Sequence, residues 1–524
     1  MTKARSNNVL ISDSARAAPD EQLVGELDAD ATLRLTIYFR RRSPALPIGS
    51  AEDLARLQPR LSRTVLERQR ARTHKRAAAR ISGFLRDRGI VVQTIDYTSR
   101  KMEIEAPAHV LTQLFQADIR LYSDGEHTFR ARTGSLSIPR PIAPWVRAVV
   151  GFDQRPLPTT SSVLTGDGTD SLWPTNVAEL YGVPLDHDLS RQCVGIVALG
   201  GGYLADDLRA ALSAMGRTLP EIVEVHLNGA TGVFGADARA DEEIALDLQV
   251  LAALVPAARI VIYFAENSQQ ALSDALDKAV HDSVNDPRVI SVSWGAAEVH
   301  WTAPRREVLN AILCDAVRLG VSVVAAAGDD LATCNEPDGK AHVWFPASSP
   351  YVLSCGGTSI KLQDNAIAQE AVWNTGIAGT GGGVSEVFPV PAYQAHTQIP
   401  LSVSTGLPGR GVPDVSALAS ETPGYRIIVE GTERNLGGTS AATPLWAGCL
   451  AITDSLRAQS IGFAVPALYA QPRAMRSVLE GDNFRNGIGY KAGAGWSACA
   501  GLGTPIGTNV IEILTAASEG DLMS

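Results

Sequence analysis

The sequence predicts an α/β chain in two parts, a small α+β unit of ferredoxin-like order and then a larger, doubly wound parallel sheet. Three observations carry this. The first 155 residues order as β-α-β-β-α-β, the split βαβ pattern. Residues 156–172 (PLPTTSSVLTGDGTDSL) are dense in Pro, Ser, Thr, Gly and Asp and read as a linker. From Trp173 onward, short β-branched runs alternate with helical stretches, which implies a parallel sheet covered on both faces.

Each element follows from local pattern. Residues 1–30 read as an N-terminal tail. In the unit spanning 31–155, LRLTIYFRR at 33–41 alternates apolar and polar, as a half-buried strand does. An amphipathic helix follows at about 60–88 and stops at Gly89. IVVQTIDY and KMEIEA read as paired strands and APAHVLTQLFQ as a short helix. IRLY and TFRART flank Asp124-Gly125, a hairpin signal. In the unit spanning 173–524, CVGIVALG, EIVEVHL, IVIYFA, VISVSW and VSVVAAAG are strands. Helices fall near 205–215, 241–254, 268–281 and 305–319. Ligands then belong at the carboxyl ends of these strands.

Composition narrows the function. The chain has 524 residues, 45% hydrophobic and 19% charged, which excludes a disordered or collagen-like chain. No apolar run approaches the ~18 residues of a membrane span, so no membrane role is expected. The first 30 residues lack the apolar core of a secretory signal. Six cysteines without CxxC spacing argue against a disulfide framework or a structural zinc site. Charge is split: residues 1–160 hold 26 Lys and Arg against 17 Asp and Glu, and the remainder 20 against 39. The basic residues are dispersed and not interleaved with aromatics. Mutual attraction of two parts of one chain therefore fits better than nucleic-acid binding.

Three constellations could carry chemistry. Gly437-Gly438-Thr439-Ser440-Ala441-Ala442-Thr443-Pro444 places a serine at the start of a small-residue helix, with Pro444 in its first turn. The hydroxyl sits at the positive end of the helix dipole, as a nucleophile requires; an ordinary Ser N-cap is the plain alternative. None of the nine histidines is followed by glycine, so a histidine base is poorly supported. Glu243 and Asp247 stand at i and i+4, on one helix face. Two carboxylates sharing a proton make a base, although an acidic first turn that favours the dipole would look the same. Asp329, just past the apolar run VVAAAG, falls at the ligand edge of a doubly wound sheet, or is a turn aspartate.

Together these stretches resemble the sedolisins, the serine-carboxyl peptidases that include kumamolisin, in their pro-form. VGIVALGGGY, Glu243–Asp247, SVSWG at 291–295, AAAGD at 325–329, FPASSPYVLSCGGTS, VWNTG, GGGVSEVFPVPAYQ, GRGVPDVSA and GGTSAATPLWAG occur in family order, from about residue 31 onward. The resemblance implies a subtilisin-like catalytic domain behind an autoinhibitory prodomain, with maturation cleavage in the linker. It implies Ser440 as nucleophile, Glu243 as general base, Asp247 as its orienting partner and Asp329 in the oxyanion hole. Trp294, Gly438 and Thr439 are expected beside the substrate. A carboxylate base and a protonated oxyanion donor coexist only in acid, so acid activity is implied.

Further expectations follow from the resemblance. Where the family has x-Gly after Gly-Asp, this chain has Asp330-Leu331, so its oxyanion loop is expected to differ in shape. The family's calcium loop aligns with Ser477, Val478, Gly493, Gly495 and Ser497, and both serines stand where aspartates are usual. Calcium is therefore expected to be lost or weak, unless Glu480 or Asp482 substitutes. Expected partners are protein or peptide substrates and the chain's own prodomain, held by charge and released in acid, on a monomer with no nucleic acid. Extracellular action is implied by the family. The alternative is a catalytically weak or inactive binding protein of the same fold.

Overall fold

The computed structural model describes residues 7–41, 61–125, 127–157, 171–458 and 460–516. The linker and its expected cleavage point lie almost wholly outside these residues.

The small domain contains β1 (Asn8–Leu10), β2 (Gln22–Glu26), β3 (Thr32–Phe39), α1 (Arg63–Arg86), β4 (Val91–Asp96), β5 (Lys101–Pro107), α2 (Ala108–Phe115), β6 (Asp118–Ser123), β7 (Thr128–Thr133), β8 (Ser137–Pro139) and β9 (Val146–Val150). Ser62 caps α1 through a bond from the Val65 N–H. The main sheet runs β4-β5-β3-β9, all antiparallel, the ferredoxin-like order. Its fourth strand is β9 and not the Asp124-Gly125 hairpin, which pairs with β2 in a separate three-stranded sheet. Residues 8–26 are likewise built into the domain: β1 pairs with β8 and β2 with β6.

The large domain opens on β10 (Ser171–Leu172) and α3 (Pro174–Leu180). β11 (Cys193–Leu199), α4 (Ala205–Ala214), β12 (Glu221–His226), α5 (Ala238–Leu254), β13 (Arg259–Ala265), α6 (Gln269–His281), β14 (Val289–Val292), α7 (Ala303–Leu319) and β15 (Ser322–Ala326) then alternate strand and helix. β16 (Leu353–Gln363), β17 (Ala366–Val372), β18 (Val415–Leu418), β19 (Gly424–Val429), β20 (Thr432–Leu436) and α8 (Thr439–Ser455) follow. The sheet order is β12-β13-β11-β14-β15-β16-β17, with β18 also paired to β16. Every pairing is parallel except β16 with β17. β11, β14 and β15 are wholly buried, which is why they read as unbroken apolar runs. α5 and α8 pack together as one covering layer, and α6 and α7 as another.

The small domain docks on α6 and α7 through both oil and charge. Tyr38, Leu66, Ala148 and Val150 join the large domain's core. Asp315 on α7 binds Arg70, Arg100 at 3.3 Å and Arg41 at 3.7 Å, all from the small domain, with His281 at 3.5 Å. Lys101 binds Asp277 at 2.7 Å and Asp274 at 3.4 Å. Arg63 reaches Asp286, and Arg147 reaches Glu307. One contact runs the other way: Arg305 of the large domain donates to the backbone carbonyl of Asp153 at 3.4 Å. The charge split of the sequence is thus realised mainly as small-domain cations on large-domain carboxylates.

Candidate active site

Four side chains separated by up to 197 positions in sequence meet the carboxyl edge of the parallel sheet. α5 starts earlier than its apolar periodicity suggests, because Asp237 caps it, accepting from the Arg239 and Ala240 N–H groups at 3.0 and 3.1 Å. Asp241 is not a solvated first-turn acid. It is buried, and its two oxygens accept from the Gly202 and Gly235 N–H groups at 2.6 and 2.7 Å. A Cβ at Gly201 would meet Asp241 Oδ1 at 2.5 Å, so glycine is required for the loop to sit against the helix. This loop fixes the start of the helix that carries the paired acids.

Glu243 and Asp247 lie one turn apart on α5, at 0% and 1% exposure. Ser293, the residue after β14, donates its hydroxyl to Asp247 Oδ1 at 2.7 Å. Burial, then the neighbouring Glu243, pushes Asp247 well above the ordinary carboxylate range, and the Ser293 bond opposes them. No cation among the described residues offsets this burial. Sequence reasoning missed Ser293; the signal lay in the SVSWG stretch, which places a second serine at the end of a buried strand.

Asp329 stands three residues past β15, on the strand next to β14. Its Oδ1 accepts from the Thr439 N–H at 2.8 Å and from the Thr439 hydroxyl at 2.7 Å. Its Oδ2 has no hydrogen-bond partner among the described residues. Burial pushes its pKa up to about 7 against the two Thr439 bonds, with Asp330 and Glu421 adding like charge. Gly438 has φ +114°, and a Cβ there would meet Asp329 Oδ2 at 2.8 Å, so the turn and the acid fit only around glycine. Leu331 holds φ +58°, the left-handed conformation that glycine adopts without strain. Its side chain packs where a Cβ on Gly379 would be.

Ser440 is the second residue of α8, at 1% exposure, with Gly438 as the capping residue. Pro444 sits in the second turn and not the first. There it removes the N–H that an unbroken helix directs at the Ser440 carbonyl. Since α8 packs on α5, the serine and the acid pair belong to contacting helices. Thr439 links Ser440 to Asp329 as the residue between them.

The residues expected at the substrate divide. Gly438 borders Asp329 Oδ2. Thr439 is fully buried and spends its hydroxyl on Asp329. Trp294, at 1% exposure, lies in the main hydrophobic core.

The residues that the resemblance aligns with calcium do not fit that ion. Ser497 Oγ accepts from the Ala500 N–H at 3.2 Å and lies 3.7 Å from Cys499 Sγ. Val478 packs with Val372, Cys499 and Ala500 in a small apolar cluster. Glu480 bonds to Gln369, and Asp482 Oδ1 accepts from Asn374 at 3.1 Å and from the Phe484 N–H at 3.0 Å. Each carboxylate spends one oxygen on these bonds, and the hydroxyls and carbonyls of the aligned residues are a neutral set for a hard dication. Among the described residues no three His, Cys, Asp or Glu side chains gather to hold a metal. All six cysteines are buried free thiols.

Comparison with known proteins shows the family. Residues 231–495 match the Subtilase family and residues 19–155 the Pro-kumamolisin activation domain. The molecule is thus a subtilisin-fold serine peptidase joined to an activation domain. Kumamolisin of Bacillus sp. (strain MN-32) is 34% identical, over 98% of this chain and 97% of its own length. Sedolisin of Pseudomonas sp. (strain 101) is 29% identical, over 71% of this chain and 68% of its own. The solved structure of Pseudomonas sedolisin, a serine-carboxyl proteinase complexed with two molecules of pseudo-iodotyrostatin, aligns with TM-score 0.59 at 28% identity. It covers 66% of this chain and 97% of that one. The chain belongs to the sedolisin family of serine-carboxyl peptidases and is a pro-form.

Proposed function

We propose that this peptidase is an acid-active endopeptidase, made as an autoinhibited zymogen, that works through Ser440, Glu243, Asp247 and Asp329. The observation that carries the reading is the Asp329 carboxyl, buried, bonded to the residue before Ser440 and pushed up to about 7. Below that pH it is a neutral acid whose Oδ2 donates to the oxygen of a scissile carbonyl as negative charge develops there. Ser440 Oγ attacks the carbonyl carbon while its proton passes to Glu243. Asp247, kept neutral by burial and steadied by Ser293, donates to Glu243 and orients it. The proton then returns to the leaving amine, and water repeats the sequence on the acyl-enzyme. The positive end of α8 supports the developing oxyanion.

The bell-shaped pH dependence follows from two opposed requirements. Above about pH 7 Asp329 loses the proton it must donate. In strong acid the Glu243–Asp247 pair takes up a second proton and no base remains. The same reading has the enzyme working without calcium, because the neutral serine set replaces the family's anionic ligands. Protein or peptide chains are the substrates, and the docked small domain is the inhibitor. The test is cleavage of casein from pH 2 to 8 by the wild type and by Ser440→Ala. Cleavage confined to acid and abolished by the substitution supports the reading. Absent cleavage, or cleavage that survives Ser440→Ala, defeats it.

A further inference from the structure

We infer that Thr439 is a positioning residue that decides which oxygen of Asp329 carries the proton. The inference rests on the reading of Asp329 as the oxyanion donor. A carboxylic acid helps an oxyanion only through the oxygen that bears hydrogen. A free carboxyl places its proton on either oxygen, and half of those arrangements aim an acceptor at the developing charge.

Here the arrangement has a direction. The Gly328 N–H donates to Thr439 Oγ1 at 3.2 Å. That occupies an acceptor position of the hydroxyl, so its single proton turns to Asp329 Oδ1, 2.7 Å away. The Thr439 N–H reaches the same oxygen at 2.8 Å. Oδ1 therefore already faces two hydrogens, and a third on that atom would be driven against both. The carboxyl proton is left to Oδ2, a buried atom without a hydrogen-bond partner among the described residues. Oδ2 lies against Gly438, two residues before the nucleophile.

The chain of donors thus runs from the Gly328 N–H to the Thr439 hydroxyl to Asp329 Oδ1, leaving Oδ2 as the carboxyl oxygen without a partner among the described residues. Thr439 is itself completely buried, and its other side-chain branch packs near Gly357, where a Cβ would lie 3.4 Å from Thr439 Cγ2. Its two halves have separable roles. The methyl fills space, and the hydroxyl orders protons.

This separation supplies the test. Thr439→Val keeps the shape and removes the hydroxyl, whereas Thr439→Ser keeps the hydroxyl and removes the methyl. The expected result for Thr439→Val is a fall in kcat of about tenfold, the worth of one buried hydrogen bond, with KM little changed. Because the lost bond favoured the ionised carboxyl, the alkaline limb of kcat/KM moves to higher pH, and Thr439→Ser restores both quantities. A direct readout accompanies the kinetics: carboxyl ¹³C titration of Asp329, assigned by the signal lost in Asp329→Asn. It moves up in Thr439→Val and returns in Thr439→Ser, whether or not the protein turns over. An unmoved titration in Thr439→Val, or defects of equal size in the two variants, overturns the inference. A wild type without Ser440-dependent cleavage defeats the functional reading instead, and the titration still decides what Thr439 does.

Discussion

Two sets of buried carboxylates in this chain titrate in opposite directions. At the sheet edge, Asp247 and Asp329 are pushed up. At the docking face, Asp315, Asp277 and Asp153 are held below the ordinary range. Burial is comparable and raises every one of them; cations make the difference. Asp315 has Arg100, Arg70 and His281 around it, whereas among the described residues no cation offsets burial for Asp247 or Asp329. Asp274 marks the boundary: it shares Lys101 with the better-placed Asp277, and burial wins. Burial without a counter-charge makes acids that can donate and share protons. Burial among two or more cations, as at Asp315, Asp277 and Asp153, makes anions that hold two domains together. His281 belongs to the second set, its charge favoured by Asp277 and Asp315 over the burial that opposes it.

The largest expected effect breaks the first set. Ser440→Ala abolishes turnover, and Asp329→Ala lowers kcat by about 10²–10³ through loss of one oxyanion donor, with folding retained in circular dichroism. Glu243→Gln cuts turnover severely for want of a base, and Asp247→Asn does so by depriving that base of its orienting acid. Any of these variants keeping near-wild-type acid activity removes that residue from the mechanism.

Breaking the second set should cost stability and leave the chemistry alone. In the Ser440→Ala zymogen, Asp315→Asn removes the carboxylate that faces Arg41, Arg70, Arg100 and His281. A loss of about 3–5 kcal/mol is expected, because buried cations are left uncompensated. It is read as a lower denaturant midpoint and faster nicking between the domains by added protease. An unchanged midpoint would mean that apolar docking through Tyr38, Leu66 and Val150 carries the interface.

The opposite shifts also give opposite pH slopes of stability. Asp315, Asp277 and Asp153 have lowered values. Their contribution is present above the unfolded value of 3.8 and is lost as pH falls below it. Asp329 is raised, so its contribution is full below 3.8 and lost as pH climbs to about 7. Asp329→Asn should therefore stabilise the zymogen at pH 8 relative to pH 4, by at most about 4 kcal/mol. Equal stabilisation at both pH values would contradict a raised Asp329. Docking should hold from pH 7 to about 5 and weaken steeply only below about pH 4.

The smallest expected effect is none. The melting temperature should not respond to EDTA, since Ser497 is bonded to the Ala500 N–H and Glu480 and Asp482 are turned to Gln369 and Asn374. A fall in stability on chelation would show a cation on that loop.

Much of this molecule was legible in its sequence, for physical reasons that also mark the limit. The buried strands β11, β14 and β15 announce themselves because both faces must be apolar. The i, i+4 spacing of Glu243 and Asp247 fixes a shared face without any tertiary information. β1 and β2 were not legible: their residues are largely exposed edge positions with no alternation to read. β9 escaped because the Asp124-Gly125 hairpin completes the expected order first, although it belongs to another sheet. The burial of Asp241 was not legible, because its partners, Gly202 and Gly235, lie on other turns of chain. The bond from Thr439 to Asp329 was not legible, because it spans 110 positions. Local chemistry is visible in sequence; which buried charge finds a partner is decided by the fold.

The most direct measurement is the pH profile of kcat/KM of the matured enzyme on one peptide, from pH 2 to 9. The account predicts a bell whose alkaline limb falls with the loss of a single proton near pH 7, the value to which burial pushes Asp329. Activity that rises through neutrality and holds to pH 9 would contradict it, because a neutral Asp329 would then have no part in the reaction.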